Sequence, residues 1–189
     1  VIPGASFVYL IVQFFGKSEL KSLQNGIQTI VNPNLKIETL ENQFKHSDNF
    51  ANRMDLADAY LFLGRRQEAL ELYEPCIDGV FKDDIHFLLQ LGLCYFEIQE
   101  YTKAAFTLIK VKNTVEFKRS KYHLAYALSL DAMGKLEMAL EQFDLMNSEK
   151  GNFEYRFHYA LFLSNHNKNE KAISLLKMIL TEIKGLEAP

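Results

Sequence analysis

The chain has 189 residues, 48% of them hydrophobic and 24% charged, enough apolar content for one folded domain or one short solenoid. Its net charge of −3 comes from 21 basic and 24 acidic residues mixed along the chain, without the basic stripe that a nucleic-acid surface needs. The two cysteines, Cys76 and Cys94, fall inside helical patterns and read as small core residues, not as a disulfide or a reactive thiol.

In chain order, the first feature is Val1 to Phe15, apolar except for Ser6 and Gln13. A helix of about 15 residues spans roughly 22 Å. That is short of a hydrocarbon core of about 30 Å, so residues 1–16 read as a partial membrane anchor. The initial valine predicts a fragment or a processed product. A signal-peptide remnant or a helix packed on the rest of the chain are the alternatives. A signal peptide fits poorly, because no positive n-region or cleavage pattern is visible. Lys17 and Lys21 follow at once and favour a cytoplasmic exit.

Residues 17–49 then read as connecting and capping helices. Leu20, Leu23, Ile27 and Ile30 recur at helical spacing. Asn32-Pro33 reads as an N-cap followed by proline at the first helical position. Ile37, Leu40 and Phe44 mark the buried face of the helix that follows, which ends near residues 46–49 and reads as a capping helix or the remnant of a degenerate repeat.

From residue 50 onward a template repeats four times. Leu56-Ala57 is followed by Tyr60, Gly64, Ala69 and Tyr73; Leu91-Gly92 by Tyr95, Gln99, Ala104 and Leu108. Tyr126-Ala127 is followed by Leu130, Gly134, Ala139 and Phe143; Tyr159-Ala160 by Leu163, Asn167, Ala172 and Leu176. The second alanine recurs after 35, 35 and 33 residues. A small residue on a first helix lets a second helix approach closely, and the alanine on that second helix faces it. Gly64, Gly134 and Asn167 stand where the chain must reverse and tolerate a left-handed C-cap; Gln99 does not, which predicts a less favourable turn. Pro75 predicts a kink in its helix or an early end before Gly79.

This pattern resembles the tetratricopeptide repeat (TPR) family, whose small, aromatic and alanine positions the four segments match across residues 50–183. The family's helix-A tryptophan is replaced by Arg53, Leu88, His123 and Arg156, and the closing proline is missing. The resemblance implies an all-α, right-handed solenoid of about four helix hairpins plus N-terminal helices. Its repeats fall at about 50–83, 84–118, 119–151 and 152–184. A second resemblance is to bacterial membrane-anchored TPR proteins whose N-terminal hydrophobic hairpin is similar to that of cardiolipin synthases. It rests on Pro3-Gly4, Tyr9 to Val12, Asn32 to Asn34, Asn52-Arg53, Leu56 to Tyr60, Gly64-Arg65, Glu68-Ala69, Leu72 to Glu74 and Asp83-Asp84.

Nothing points to catalysis. No histidine stands three or four residues from another, and no Cys-x-x-Cys, glycine-rich phosphate loop or nucleophile elbow occurs. Neither a metal nor a cofactor is expected. Asp83-Asp84 reads as a helix cap, and Lys118, Arg119 and Lys121 as a solvated helix start. The resemblance places partner binding on the inner face of each first helix. That projection gives Met54, Asp58, Leu61 and Phe62, then Leu89, Leu93 and Phe96. Leu124, Leu128 and Asp131 follow, and finally Phe157, Leu161 and Asn165. This face is apolar and suits an amphipathic helix or apolar peptide, unless residues 17–46 of the chain cover it themselves. The basic set with which some TPR domains grip a C-terminal carboxylate is not matched: Met54 and Asp58 hold its first places. The expected function is a protein-interaction scaffold, with its repeats in the cytoplasm and tethered to a membrane wherever residues 1–16 insert. The rival expectation is a module that self-associates through uncapped ends, where Ile173, Leu176, Ile179, Leu180 and Ile183 expose apolar surface.

Overall fold

The computed structural model describes residues 33–147 and 152–186 of the chain. The expected anchor, the helical pattern from Leu20 to Ile30 and the Asn32 cap lie outside the described residues. Every regular element among the described residues is helical, and the fold is all-α, built of TPR-type helix hairpins. The chain divides into two compact units, one ending at Arg65 and the other beginning at Arg66.

The first unit contains α1 (Pro33–His46) and α2 (Phe50–Phe62), which pack on each other. Ile37 is buried in that contact, with Leu40 and Phe44 half-buried. The Asn49 side chain accepts the Asn52 N–H at 3.0 Å and starts α2. The Tyr60 hydroxyl donates to Glu41 at 2.6 Å, tying α2 to α1. The Arg53 guanidinium lies 5.2 Å from the Phe44 ring centroid.

The second unit runs through α3 (Arg66–Tyr73), α4 (Ile85–Glu97), α5 (Tyr101–Leu108), α6 (Lys121–Ala132), α7 (Leu136–Met146), α8 (Phe153–Asn165) and α9 (Asn169–Leu186). Each helix packs on its neighbour in chain order, and α4 also touches α6. The template's small residues lie in these contacts: Ala69, Ala104, Ala127, Ala139, Ala160 and Ala172 are all buried. Tyr73, Leu108 and Phe143 are completely enclosed, while Leu176 is half-buried. Gly92 has a specific reason to be glycine. A Cβ there would stand 2.5 Å from Leu108 Cγ, inside van der Waals contact with a side chain that has no room to move.

The helix ends follow from backbone chemistry. Asp84 caps α4 by accepting the Phe87 N–H at 2.9 Å, and Ser120 caps α6 through the Tyr122 N–H at 3.2 Å. The four template reversals each use a Schellman closure. The amides of Arg65, Glu100, Lys135 and Lys168 reach back to the carbonyls of Tyr60, Tyr95, Leu130 and Leu163 at 2.8–2.9 Å. The residue before each closing amide is left-handed: Gly64 at φ 74°, Gln99 at 66°, Gly134 at 72° and Asn167 at 60°. Gln99 is thus held in a conformation that disfavours it, as its place in the template predicts. Pro75 sits in a tight 3₁₀ turn, Glu74–Cys76, directly after α3 stops at Tyr73. The next repeat stops at the matching place, Leu108, and turns through Ile109–Val111 without any proline.

Candidate partner-binding face

The first helices α4, α6 and α8 of the second unit carry the face on which the sequence places a partner. Neighbouring helices are joined by polar contacts. The Tyr122 hydroxyl on α6 donates to Gln90 Oε1 on α4 at 3.2 Å. Asp131, at the end of α6, meets His166 Nε2, just past α8, at 2.7 Å. Phe157 and Leu161 lie one turn apart on α8 and are 49% and 44% exposed. Asn165, one turn further on, is also exposed, while Leu128 and Asp131 on α6 are half-buried.

Exposure along this face is graded. Leu89 and Leu93 on α4 and Leu124 on α6 are buried, and Phe96 is half-buried. In the first unit Met54 and Leu61 are buried, Asp58 is half-buried and Phe62 is exposed. The helical register that grouped these side chains says nothing of what lies above them. The accessible part in the second unit is Phe157, Leu161 and Asn165, with Phe96, Leu128 and Asp131 partly open.

Polar and aromatic contacts fix these helices to one another. Phe143 stacks on Tyr159 with ring centroids 5.4 Å apart, and the Tyr159 hydroxyl donates to Asp144 Oδ1 at 2.5 Å. Burial, then that carboxylate, push the Tyr159 pKa up. Arg156 is buried. It donates to Glu182 on α9 at 2.6 Å and to Asn147 after α7 at 3.0 Å, so one side chain joins three elements. His123 is buried beside Phe117, whose ring centroid is 4.8 Å away. Its Nδ1 accepts the Arg119 N–H at 3.2 Å, which makes Nε2 the protonated nitrogen that donates to Gln142 Oε1 at 3.0 Å. Burial holds the His123 pKa below its usual value, helped by Arg119 and opposed by the Gln142 bond. Sequence reading missed the roles of His123 and Arg156. The available signal was their place: both stand where the family has tryptophan.

Neither cysteine forms a disulfide and both are buried, and burial pushes the Cys94 thiol up to about 11. Among the described residues no cluster of His, Cys, Asp and Glu is placed to hold a metal ion. No helix among them is long and apolar enough to cross a membrane.

Stacked helix hairpins joined by left-handed C-caps and small-residue contacts define a helical-repeat protein. Residues 87–114, running from within α4 past the end of α5, match the family model described as a tetratricopeptide repeat, and the helix-hairpin fold is shared with solved structures. Among solved structures it is similar to MamA MSR-1 C2, with 22% identity and a TM-score of 0.68 over 92% of this chain and 100% of that one. MamA 41-end from Desulfovibrio magneticus RS-1 is 14% identical with a TM-score of 0.72, over 92% of this chain and 99% of that one. A further crystal structure of MamA is 19% identical with a TM-score of 0.70, over 85% and 95% of the two chains. None of the curated proteins matches the chain in sequence.

Proposed function

We propose that the protein is a non-catalytic scaffold that holds a partner polypeptide against the first-helix face of its repeats. One observation carries this reading: Phe157 and Leu161, large apolar residues one helical turn apart, stand about half exposed, with half-buried Leu128 on the preceding first helix. A folded chain gains nothing from leaving such a pair in water, whereas an amphipathic helix would cover it with its own apolar stripe. Asp131 and Asn165 supply polar contacts that would set the direction of the bound segment. The buried members of the projected set, Leu89, Leu93 and Leu124, serve as the support beneath it.

The test is a peptide-display selection against the purified protein, repeated with Phe157→Asp/Leu161→Asp. Both side chains are substantially exposed, so the double variant keeps its fold by circular dichroism. The expected binders carry apolar residues at i, i+4 and i+7 and lose the variant. Binders that hold both proteins equally would remove this face as the site.

A second reading has its own support. Of the residues expected to expose apolar surface on α9, Ile179 is buried and Leu176 and Ile183 are half-buried. Ile173 and Leu180, with Met178, are each more than half exposed, which suits burial against a second copy of the chain. Sedimentation over a hundredfold concentration range separates the two, since a monomer throughout would leave α9 without that role. Membrane tethering through residues 1–16 belongs to the same proposal, and vesicle flotation of the chain with and without them is its test.

A further inference from the structure

We infer that the loop joining α5 to α6 is a docking site for an anionic lipid bilayer, a role beyond the polypeptide-binding face. Between residues 110 and 119 the chain carries four cations, Lys110, Lys112, Lys118 and Arg119, against one carboxylate, Glu116. All four cations are exposed, and among the described residues no carboxylate pairs with Lys110, Lys112 or Lys118. In their midst Val115 is 85% exposed, and Phe106 on the adjoining helix is exposed as well.

The loop is built to hold Val115 outward. Two residues on, Phe117 is enclosed in the core between His123 and Tyr126. The Phe117 N–H donates to Thr114 Oγ1 at 3.2 Å, its carbonyl accepts the Ser120 hydroxyl at 2.7 Å, and Thr114 N–H bonds to the Val111 carbonyl at 3.0 Å. An apolar tip already fixed in place loses little freedom on docking. A projecting tip has no pocket into which a partner protein would insert, but a lipid interface deforms around it, and basic neighbours add attraction to acidic headgroups. Each cation near such a surface strengthens partitioning by about fivefold, so the three lysines less Glu116, a surplus of two, give roughly twenty-five-fold.

Charge singles out this loop. One repeat earlier Val80 is exposed at the matching place, 35 residues before Val115, but Asp78, Asp83 and Asp84 surround it against the single Lys82. That loop would be repelled by the same surface.

The chain has no tryptophan, so Val115→Trp introduces a unique reporter. Titrated with phosphatidylcholine vesicles containing phosphatidylserine, its emission shifts to the blue, and 0.5 M salt reverses the shift; phosphatidylcholine alone gives none. In co-sedimentation, Lys112→Glu/Lys118→Glu binds the acidic vesicles at least tenfold more weakly than the parent, with an unchanged far-ultraviolet spectrum. Insertion through residues 1–16 is apolar and resists salt, so the ratio is taken on the part of the binding that 0.5 M salt reverses. An unshifted emission from the introduced indole, or equal binding by the charge-reversed variant, overturns the assignment. So would a blue shift with an acidic peptide and none with vesicles, which would make the loop a protein contact.

Discussion

Gln99→Gly should stabilise the protein, against the usual expectation for a glycine substitution. Gln99 is held at φ 66° by the closure of α4, with its own N–H on the Phe96 carbonyl at 3.0 Å and that of Glu100 on the Tyr95 carbonyl at 2.9 Å. A side chain in this region costs about 1–2 kcal/mol through the crowding of Cβ against the following carbonyl. Glycine removes that cost but loses about 0.5–1 kcal/mol more conformational freedom on folding. The difference leaves a net gain of about 0.5–1 kcal/mol, or a Tm rise of about 1–4 °C for a chain of this length. Gln99→Ala is the control, since it removes the exposed side chain while keeping Cβ, and its Tm should stay at the parent value. Gly134→Ala is the mirror. At φ 72° nothing lies within 4 Å of the new Cβ, so its loss comes from backbone strain alone and should match the gain at Gln99. Urea titration followed by far-ultraviolet circular dichroism reads all three, with a common slope required. If Gln99→Gly leaves the midpoint unmoved while Gly134→Ala lowers it, the strain assigned to Gln99 is not there.

Ala139→Leu should destabilise by about 1–3 kcal/mol, because Ala139 has no exposed surface between α6 and α7; an unchanged melting temperature would contradict its placement. His123 predicts an acid-sensitive core. Its folded pKa lies below the ordinary 6.5, so the unfolded chain takes up the proton first. The stability it contributes is complete above 6.5 and is lost as pH falls towards the folded value. His123→Gln should flatten the stability curve between pH 6.5 and 5, and an identical slope would show that the ring does not titrate as its bonds require.

The repeat was legible because its spacing is a packing requirement. Small residues must recur wherever helices cross closely, and Gly64, Gly134 and Asn167 advertise their left-handed turns by residue type. Gln99 carries no such mark and was found only through its register. The face was legible as a set of positions but not as a surface: Leu93 and Leu161 look alike in sequence, yet one is buried and the other 44% exposed. That difference depends on which neighbours arrive from elsewhere, which helical periodicity does not encode. Phe117 was missed for the opposite reason. It is enclosed although it stands in a loop, where no periodic pattern draws attention to it.

Helix pairs in this chain mesh because small residues admit large ones, and a double-mutant cycle at Gly92 and Leu108 tests this most directly. Gly92→Ala alone places Cβ against Leu108 and should cost about 1–3 kcal/mol of packing, partly offset by about 1 kcal/mol of helix propensity. With Leu108→Ala already present the clash is gone and only the propensity gain remains. The two changes should therefore couple by at least about 1 kcal/mol in urea denaturation. Additive effects, with Gly92→Ala equally costly in both backgrounds, would mean that α4 and α5 do not meet through these residues.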